Sequence, residues 1–129
     1  MHGLHLTADL HDCQCDDFWL TDGTILLECL TRAVAVAKLK AVGQLAHHFP
    51  STPAGRGGVT AALLLAESHV CIHTWPEQGS VTLDVYVCNF GGDHSDAAKA
   101  LQEALIVLFS PRHVERNVLH RGSVSRHLV

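Results

Sequence analysis

Residues 67–77 of this chain hold an unusual concentration of side chains that can act as nucleophiles, acids or bases. The eleven residues include one serine, two histidines, one cysteine and two glutamates, namely Glu67, Ser68, His69, Cys71, His73 and Glu77. A half-buried strand needs only alternating apolar and polar side chains, and groups of this kind are expensive to bury in a core. The pattern therefore predicts a reacting centre rather than an ordinary core strand.

The order of these residues carries a family resemblance. Residues 67–77, Glu-Ser-His-Val-Cys-Ile-His-Thr-Trp-Pro-Glu, resemble the self-processing signature of the bacterial and archaeal S-adenosylmethionine decarboxylases, which runs Glu-Ser-His-x-x-Ile-His-Thr-Trp-Pro-Glu. Four further segments are similar to the same family, namely residues 5–9, 58–60, 84–88 and 114–117. The resemblance thus extends over most of the chain.

This resemblance implies a proenzyme that cuts itself between Glu67 and Ser68, giving fragments 1–67 and 68–129 that stay together as partners. Ser68 would become a pyruvoyl group, so the cofactor comes from the chain itself. In such enzymes this group forms a Schiff base with the substrate's α-amine and accepts the electrons released with carbon dioxide. The implied reaction is decarboxylation of S-adenosylmethionine, which supplies the aminopropyl donor for polyamine (spermidine) biosynthesis.

The resemblance also implies roles for individual residues. His73 matches the histidine that transfers protons during processing, and Thr60 stands where relatives have a serine that supports processing. Cys88 matches the proton donor of the decarboxylation step, and Glu77 matches a carboxylate that binds the ribose hydroxyls. Phe49 is the candidate for the aromatic ring that relatives stack on adenine.

The spacing within the motif raises a geometric question. Ser68 and His73 are five residues apart, and regular strand alternation would point their side chains to opposite faces. We therefore expect a bend or bulge between them, because functional sites often contain such irregularities. His69 has two open interpretations, since it could assist processing or hold a hydrogen-bond network.

The sequence of the loop before the motif does not decide between possible substrates. Relatives carry Phe-x-Pro-x-Gly-Val-Ser, whereas residues 49–60 of this chain are longer and add Arg56, which could bind a carboxylate through two hydrogen bonds. We place S-adenosylmethionine first and the amino acids ornithine and arginine as alternative substrates. A third possibility, an unprocessed partner subunit without activity, is disfavoured because Ser68 and Cys88 are both present.

Composition limits the class of protein. The length of 129 residues fits one domain, 1–129. The net charge is −4, and no basic stripe is present, so we expect no nucleic-acid partner. No apolar stretch approaches the roughly 20 residues of a membrane span. Five cysteines, an odd number without framework spacing, indicate reduced thiols and a cytoplasmic location. The eleven histidines are dispersed, and we assign no metal.

Hydrophobic periodicity predicts an α+β sandwich. Strands are expected at residues 5–11, 44–49, 59–66, 69–74, 81–88 and 112–119, and helices at 24–42 and from 93 or 95 to 108. Two helices among several strands predict an antiparallel sheet with both helices on one face.

Parity in the strand at residues 81–88 gives a further expectation. The odd positions are all apolar and must meet the helices, whereas the even positions are Thr82, Asp84, Tyr86 and Cys88. Such a face predicts a covering layer. The family resemblance implies that two protomers pair sheet to sheet as a homodimer, with the active sites between them.

Overall fold

The computed structural model describes residues 2–89 and 91–122. In chain order the elements are β1 (His2–Cys13), α1 (Phe18–Thr21), α2 (Gly23–Val36), β2 (Ala41–His48), β3 (Val59–Leu65), β4 (Ser68–Trp75), β5 (Ser80–Cys88), α3 (Ser95–Phe109) and β6 (Pro111–Gly122). The strands form one antiparallel sheet in the order β2-β3-β4-β5-β1-β6. This arrangement confirms the predicted α+β architecture.

The core lies between one face of the sheet and helices α2 and α3. Every second residue of the central strands is buried there, including Val81, Leu83, Val85 and Val87 of β5. These side chains pack with Leu26, Leu30 and Val34 of α2 and with Leu101, Leu105 and Phe109 of α3. The predicted parity of β5 is therefore correct, because the apolar set of a period-two pattern must share one face.

No helix packs on the opposite face of the described sheet, which we call the open face. It carries the half-buried side chains of His69, Cys71 and His73 from β4, and of Thr82, Asp84 and Tyr86 from β5. Tyr86 lies against Gly3 of β1, where an added Cβ would come within 2.5 Å of the Tyr86 hydroxyl. The open face is thus a polar and aromatic surface, and the Tyr86 side chain on it packs against β1.

Helix α2 begins as expected and ends earlier than expected. The Asp22 carboxylate accepts the backbone N–H groups of Thr24 and Ile25, at 3.0 and 3.2 Å, and so caps the helix. The predicted end at residue 42 is wrong, because Lys38 adopts a left-handed φ of 63° and β2 already starts at Ala41. Pairing with β3 at the sheet edge outweighs the helix propensity of this alanine-rich segment.

None of the described helices is both long enough and apolar enough to cross a bilayer.

Candidate active site

Strand β4 separates the predicted site residues instead of bringing them together. It pairs with β3 from Ser68 to His73 and with β5 from His69 to Trp75, and neither register shifts. The predicted bulge between Ser68 and His73 is therefore wrong, because continuous ladders on both sides keep the strand regular. At about 3.3 Å per residue the two residues lie roughly 16 Å apart along one chain.

The backbone irregularity lies at the predicted scissile bond. Glu67 has a φ of 59°, a left-handed conformation that costs a residue with a side chain roughly 1–2 kcal/mol. It is the second residue of the two-residue turn between β3 and β4, a turn length that favours positive φ values. Strain thus sits next to the bond before Ser68, as is common at functional sites.

Ser68 and Cys88 meet at the start of β4. The Ser68 Oγ accepts a hydrogen bond from the backbone N–H of Cys88 at 3.0 Å. Because a strand N–H lies in the plane of the sheet, the hydroxyl lies at the level of the sheet. The bond uses a lone pair of Oγ and leaves the hydroxyl proton free to be donated. The Cys88 residue is 7% exposed, so water has little access to it.

A second cluster near Ser68 was not predicted from the sequence. Asp84 Oδ2 lies 2.9 Å from His5 Nε2 and 3.2 Å from His69 Nε2. Arg121 Nη1 lies 3.4 Å from His5 Nδ1, and its guanidinium carbon lies 5.4 Å from the centre of the Tyr86 ring. The two histidines pair in register with Tyr86 from either side, so the order β4-β5-β1 produces the cluster. That strand order is the signal that could have predicted it.

Donor atoms of this cluster are close enough to be considered as metal ligands. One nitrogen from each of His5 and His69 and one oxygen from Asp84 lie within 4.8 Å of one another. The same atoms are joined by hydrogen bonds, which account for the short distances without an ion.

A shallow depression of about 630 Å³ joins this cluster to the scissile bond. It contains Glu67, Ser68 and His69 together with Tyr86 and Arg121, and Leu64 and Val42 supply apolar wall. The peptide bond that the motif predicts to be cut is therefore accessible from the open face.

The other end of β4 lines a cavity of about 350 Å³. Four predicted site residues are brought together there, namely Phe49, Thr60, His73 and Glu77. A hydrogen bond of 2.9 Å joins the Thr60 hydroxyl to His73 Nδ1 and orients the imidazole. The cavity combines an aromatic ring, a carboxylate and an imidazole, which together suit a ligand with a flat ring and hydroxyl groups.

The long loop between β2 and β3 forms one wall of this cavity. Its ends are joined by the hydrogen bond from Phe49 N–H to the Gly58 carbonyl, at 3.0 Å. Thr52 and Gly55 exchange two backbone hydrogen bonds of 2.8 and 2.9 Å within the loop. A Cβ at Gly58 would lie 2.2 Å from the Thr74 carbonyl oxygen, so only glycine permits this approach. Arg56 therefore lies on an anchored wall of the cavity.

The remaining thiols are held in their neutral form. Burial raises the pKa of Cys13 to about 11, with smaller contributions from Cys15 and Asp12. Burial, and secondly the negative charge of Asp84, also raises the pKa of Cys71 on the open face. Because the thiolate is the reactive form of cysteine, these two side chains are poor nucleophiles.

Comparison with known proteins gives the family. A sequence profile described as S-adenosylmethionine decarboxylase matches residues 4–122. The S-adenosylmethionine decarboxylase proenzyme of Aquifex aeolicus is 38% identical over 122 residues, which cover 95% of this chain and 82% of that protein. The proenzyme of the same name from Pyrobaculum arsenaticum is 36% identical over 113 residues, which cover 88% of this chain and 82% of that protein. The crystal structure of the adenosylmethionine decarboxylase from Aquifex aeolicus superposes with a TM-score of 0.80 at 34% identity, and the match covers 96% of this chain and 93% of that one. The resemblance drawn from residues 67–77 is thus confirmed, and the chain belongs to the S-adenosylmethionine decarboxylase family.

Proposed function

We propose that this protein is a pyruvoyl-dependent S-adenosylmethionine decarboxylase of polyamine biosynthesis, formed when the chain cuts itself between Glu67 and Ser68. One observation carries the proposal: the predicted site residues form two clusters on one sheet, at opposite ends of the regular strand β4. Ser68 and Cys88 form the first cluster, and Thr60 and His73 belong to the second. Each cluster alone therefore lacks predicted site residues that the other cluster contains.

Two copies packed open face to open face would complete the site. Antiparallel packing about a two-fold axis sets the Ser68 end of one strand β4 against the His73 end of the other. Exposed apolar side chains on the open face support such burial, because Leu45, Leu64 and Leu119 are 73%, 54% and 47% exposed. The homodimer with active sites between the sheets, suggested by the sequence, is therefore part of the proposal.

The chain's own residues supply binding and proton transfer. A pyruvoyl group formed from Ser68 would supply an electron-accepting ketone for a substrate that carries an α-amine. Ser68 fits this role because it follows the residue with the strained backbone and lines an accessible depression. Cys88 bonds to Ser68 through its backbone N–H, and its buried thiol would donate the proton that replaces the lost carboxylate.

The cavity at the second cluster favours S-adenosylmethionine over the smaller amino acids ornithine and arginine. Phe49 and Glu77 both line it, so an aromatic ring and a carboxylate are available for an adenine ring and for ribose hydroxyls. Ornithine and arginine lack both groups. Arg56 lines the same cavity, and its part in selecting the substrate belongs to this proposal.

Activity is tested by mass and by product. We expect intact-mass measurement of the purified protein to give fragments 1–67 and 68–129, the second without a free amino terminus. Ser68→Ala should remain full length because the attacking oxygen is gone. Incubation with S-adenosylmethionine, ornithine or arginine should release carbon dioxide only from the first. A wild-type chain that stays full length after prolonged incubation would refute the enzymatic proposal.

The shared site is tested by mixing two inactive variants. Ser68→Ala retains His73, and His73→Ala retains Ser68, so neither homodimer should cleave. In a mixed dimer one site has both groups, and the His73→Ala chain should then be cut. Differential affinity tags identify the mixed dimers and the cut chain. Mixed dimers in which no chain is cut would show that the two residues act within one protomer, contrary to the proposed packing.

A further inference from the structure

The cluster of Arg121, His5, Asp84 and His69 has no part in the function described so far. It spans β6, β1, β5 and β4, which are neighbours in the sheet order β4-β5-β1-β6. It leads to the depression that contains Glu67 and Ser68. The four polar side chains thus cross four neighbouring strands and end next to the bond that is proposed to be cut. This position suggests a chemical role for the cluster.

Proton positions in this cluster follow from the donors and acceptors. A carboxylate oxygen only accepts hydrogen bonds, so His5 and His69 both donate from Nε2 to Asp84. A guanidinium group only donates, so Arg121 bonds to a lone pair on His5 Nδ1. Neutral His69 therefore carries its proton on Nε2 and has its lone pair on Nδ1. Among the described residues no hydrogen bond occupies that nitrogen.

The same assignment disfavours a metal site. To bind a metal through Nε2, both histidines would need a lone pair on Nε2 and therefore a proton on Nδ1. Arg121 contacts His5 Nδ1 as a donor and adds a positive charge beside the cluster. The geometry is better explained by carboxylate orientation of two imidazoles, as in the Asp and His pair of serine hydrolases.

His69 is well placed to act on Ser68. It follows Ser68 directly, and strand alternation points the two side chains to opposite faces. The Ser68 hydroxyl nevertheless lies at the level of the sheet, against the Cys88 N–H, and both residues line the same depression. The Ser68 hydroxyl accepts from Cys88 N–H and keeps its own proton available for transfer. His73 of the same chain is roughly 16 Å away along β4, so His69 is the imidazole nearest in sequence to the scissile bond.

We propose that His69 is the base for the first step of self-cleavage, with Asp84 as its orienting partner and His5 and Arg121 acting through Asp84. His69 Nδ1 takes the Ser68 hydroxyl proton as Oγ bonds to the Glu67 carbonyl carbon. The bond from that carbon to the Ser68 nitrogen then breaks, and the nitrogen takes the proton back from His69. An ester replaces the amide with no net gain or loss of protons. Removal of the Ser68 α-proton is a later step and leaves room for His73 of a second copy.

This inference rests on the proposed function, and a cleavage assay tests it before any decarboxylation occurs. Precursor is made by cell-free translation, quenched at intervals, and measured by intact mass. His69→Gln keeps an N–H donor for Asp84 but has no basic nitrogen. We expect its cleavage to be about 100-fold slower or more, the usual contribution of a positioned base. Asp84→Asn should be slowed less, and His11→Gln, elsewhere on β1, should cleave at the wild-type rate.

Chemical rescue separates a base from a structural residue. His69→Ala should cleave faster as imidazole is added, whereas Asp84→Asn should gain nothing because its His69 is still present. Cleavage of His69→Gln within about twofold of wild type, or no response of His69→Ala to imidazole, would overturn the role of His69. Both results leave the proposed function intact if wild-type protein is cut. A wild-type chain that is never cut refutes the proposed function itself.

Discussion

The hydrogen bond between Thr60 and His73 gives a quantitative prediction. The substitution Thr60→Val keeps the branched shape and the strand propensity and removes only the hydroxyl. One partly buried hydrogen bond of 2.9 Å is lost, which is worth about 0.5–1.5 kcal/mol net. If the transition state of processing needs His73 held in this orientation, the barrier rises by that amount. At about 1.4 kcal/mol per factor of ten, cleavage should slow roughly 2- to 12-fold.

A time course of intact mass checks this prediction. The cut should stay between residues 67 and 68, because Thr60 orients a side chain and does not choose the bond. Thr60→Ser is the matched control, since it keeps the hydroxyl and should cleave within about twofold of wild type. Equal rates for Thr60→Val and wild type, with unchanged thermal stability, would refute the view that this hydrogen bond assists processing.

Three further predictions concern separate parts of the molecule. Cys88→Ala should still be cut, but carbon dioxide release should fall about 100-fold or more and the second fragment should change mass during turnover; wild-type release with an unchanged mass would contradict the proton-donor role. Thr74→Val should lower the free energy of unfolding by about 2–6 kcal/mol in denaturant titration, because the buried Thr74 hydroxyl joins Val59 N–H and the Leu20 carbonyl and both would lose their partner. Because the pKa of Cys13 is raised from 9.0 to about 11, this thiol ionises at a lower pH in the unfolded chain than in the folded one. The stability that the folded state gains from keeping Cys13 neutral should therefore be lost as pH rises from 9 to 11. Folded Cys13 should also react slowly with iodoacetamide at pH 8, and equal alkylation of folded and unfolded chains would contradict this.

Local patterns predicted the elements well where burial alone decides the structure. The alternation of residues 81–88 fixed the buried face of β5, because one face of the sheet must meet the helices. The end of α2 was mispredicted because the left-handed turn at Lys38 depends on the pairing of β2 with β3, which no local pattern contains.

The candidate site, like the fold, could be predicted from the sequence only in part. The family resemblance predicted Ser68, His73 and Cys88 as site residues, and the structure shows which of them are neighbours within a chain. The separation of Ser68 from His73 follows from an unbroken ladder, which sequence spacing alone could not distinguish from a bulge. The contact of Asp84 with His5 joins residues 79 positions apart and depends on β1 lying beside β5.

The position of β1 has a consequence for how the protein can be made. With the proposed cut between Glu67 and Ser68, fragment 1–67 would contain β1, β2 and β3, and fragment 68–129 would contain β4, β5 and β6, while β1 lies between β5 and β6. Three of the five strand pairings therefore join the two fragments, and β6 is paired in the sheet only with β1. The fragments are interleaved, so one cannot leave without breaking the sheet of the other. Folding as a single chain must come before the cut, and a cut protein that is fully unfolded must reassemble from two separate molecules. The proposed self-cleavage would thus turn a unimolecular folding reaction into a bimolecular one, and the recovery of processed protein after denaturation should depend on its concentration.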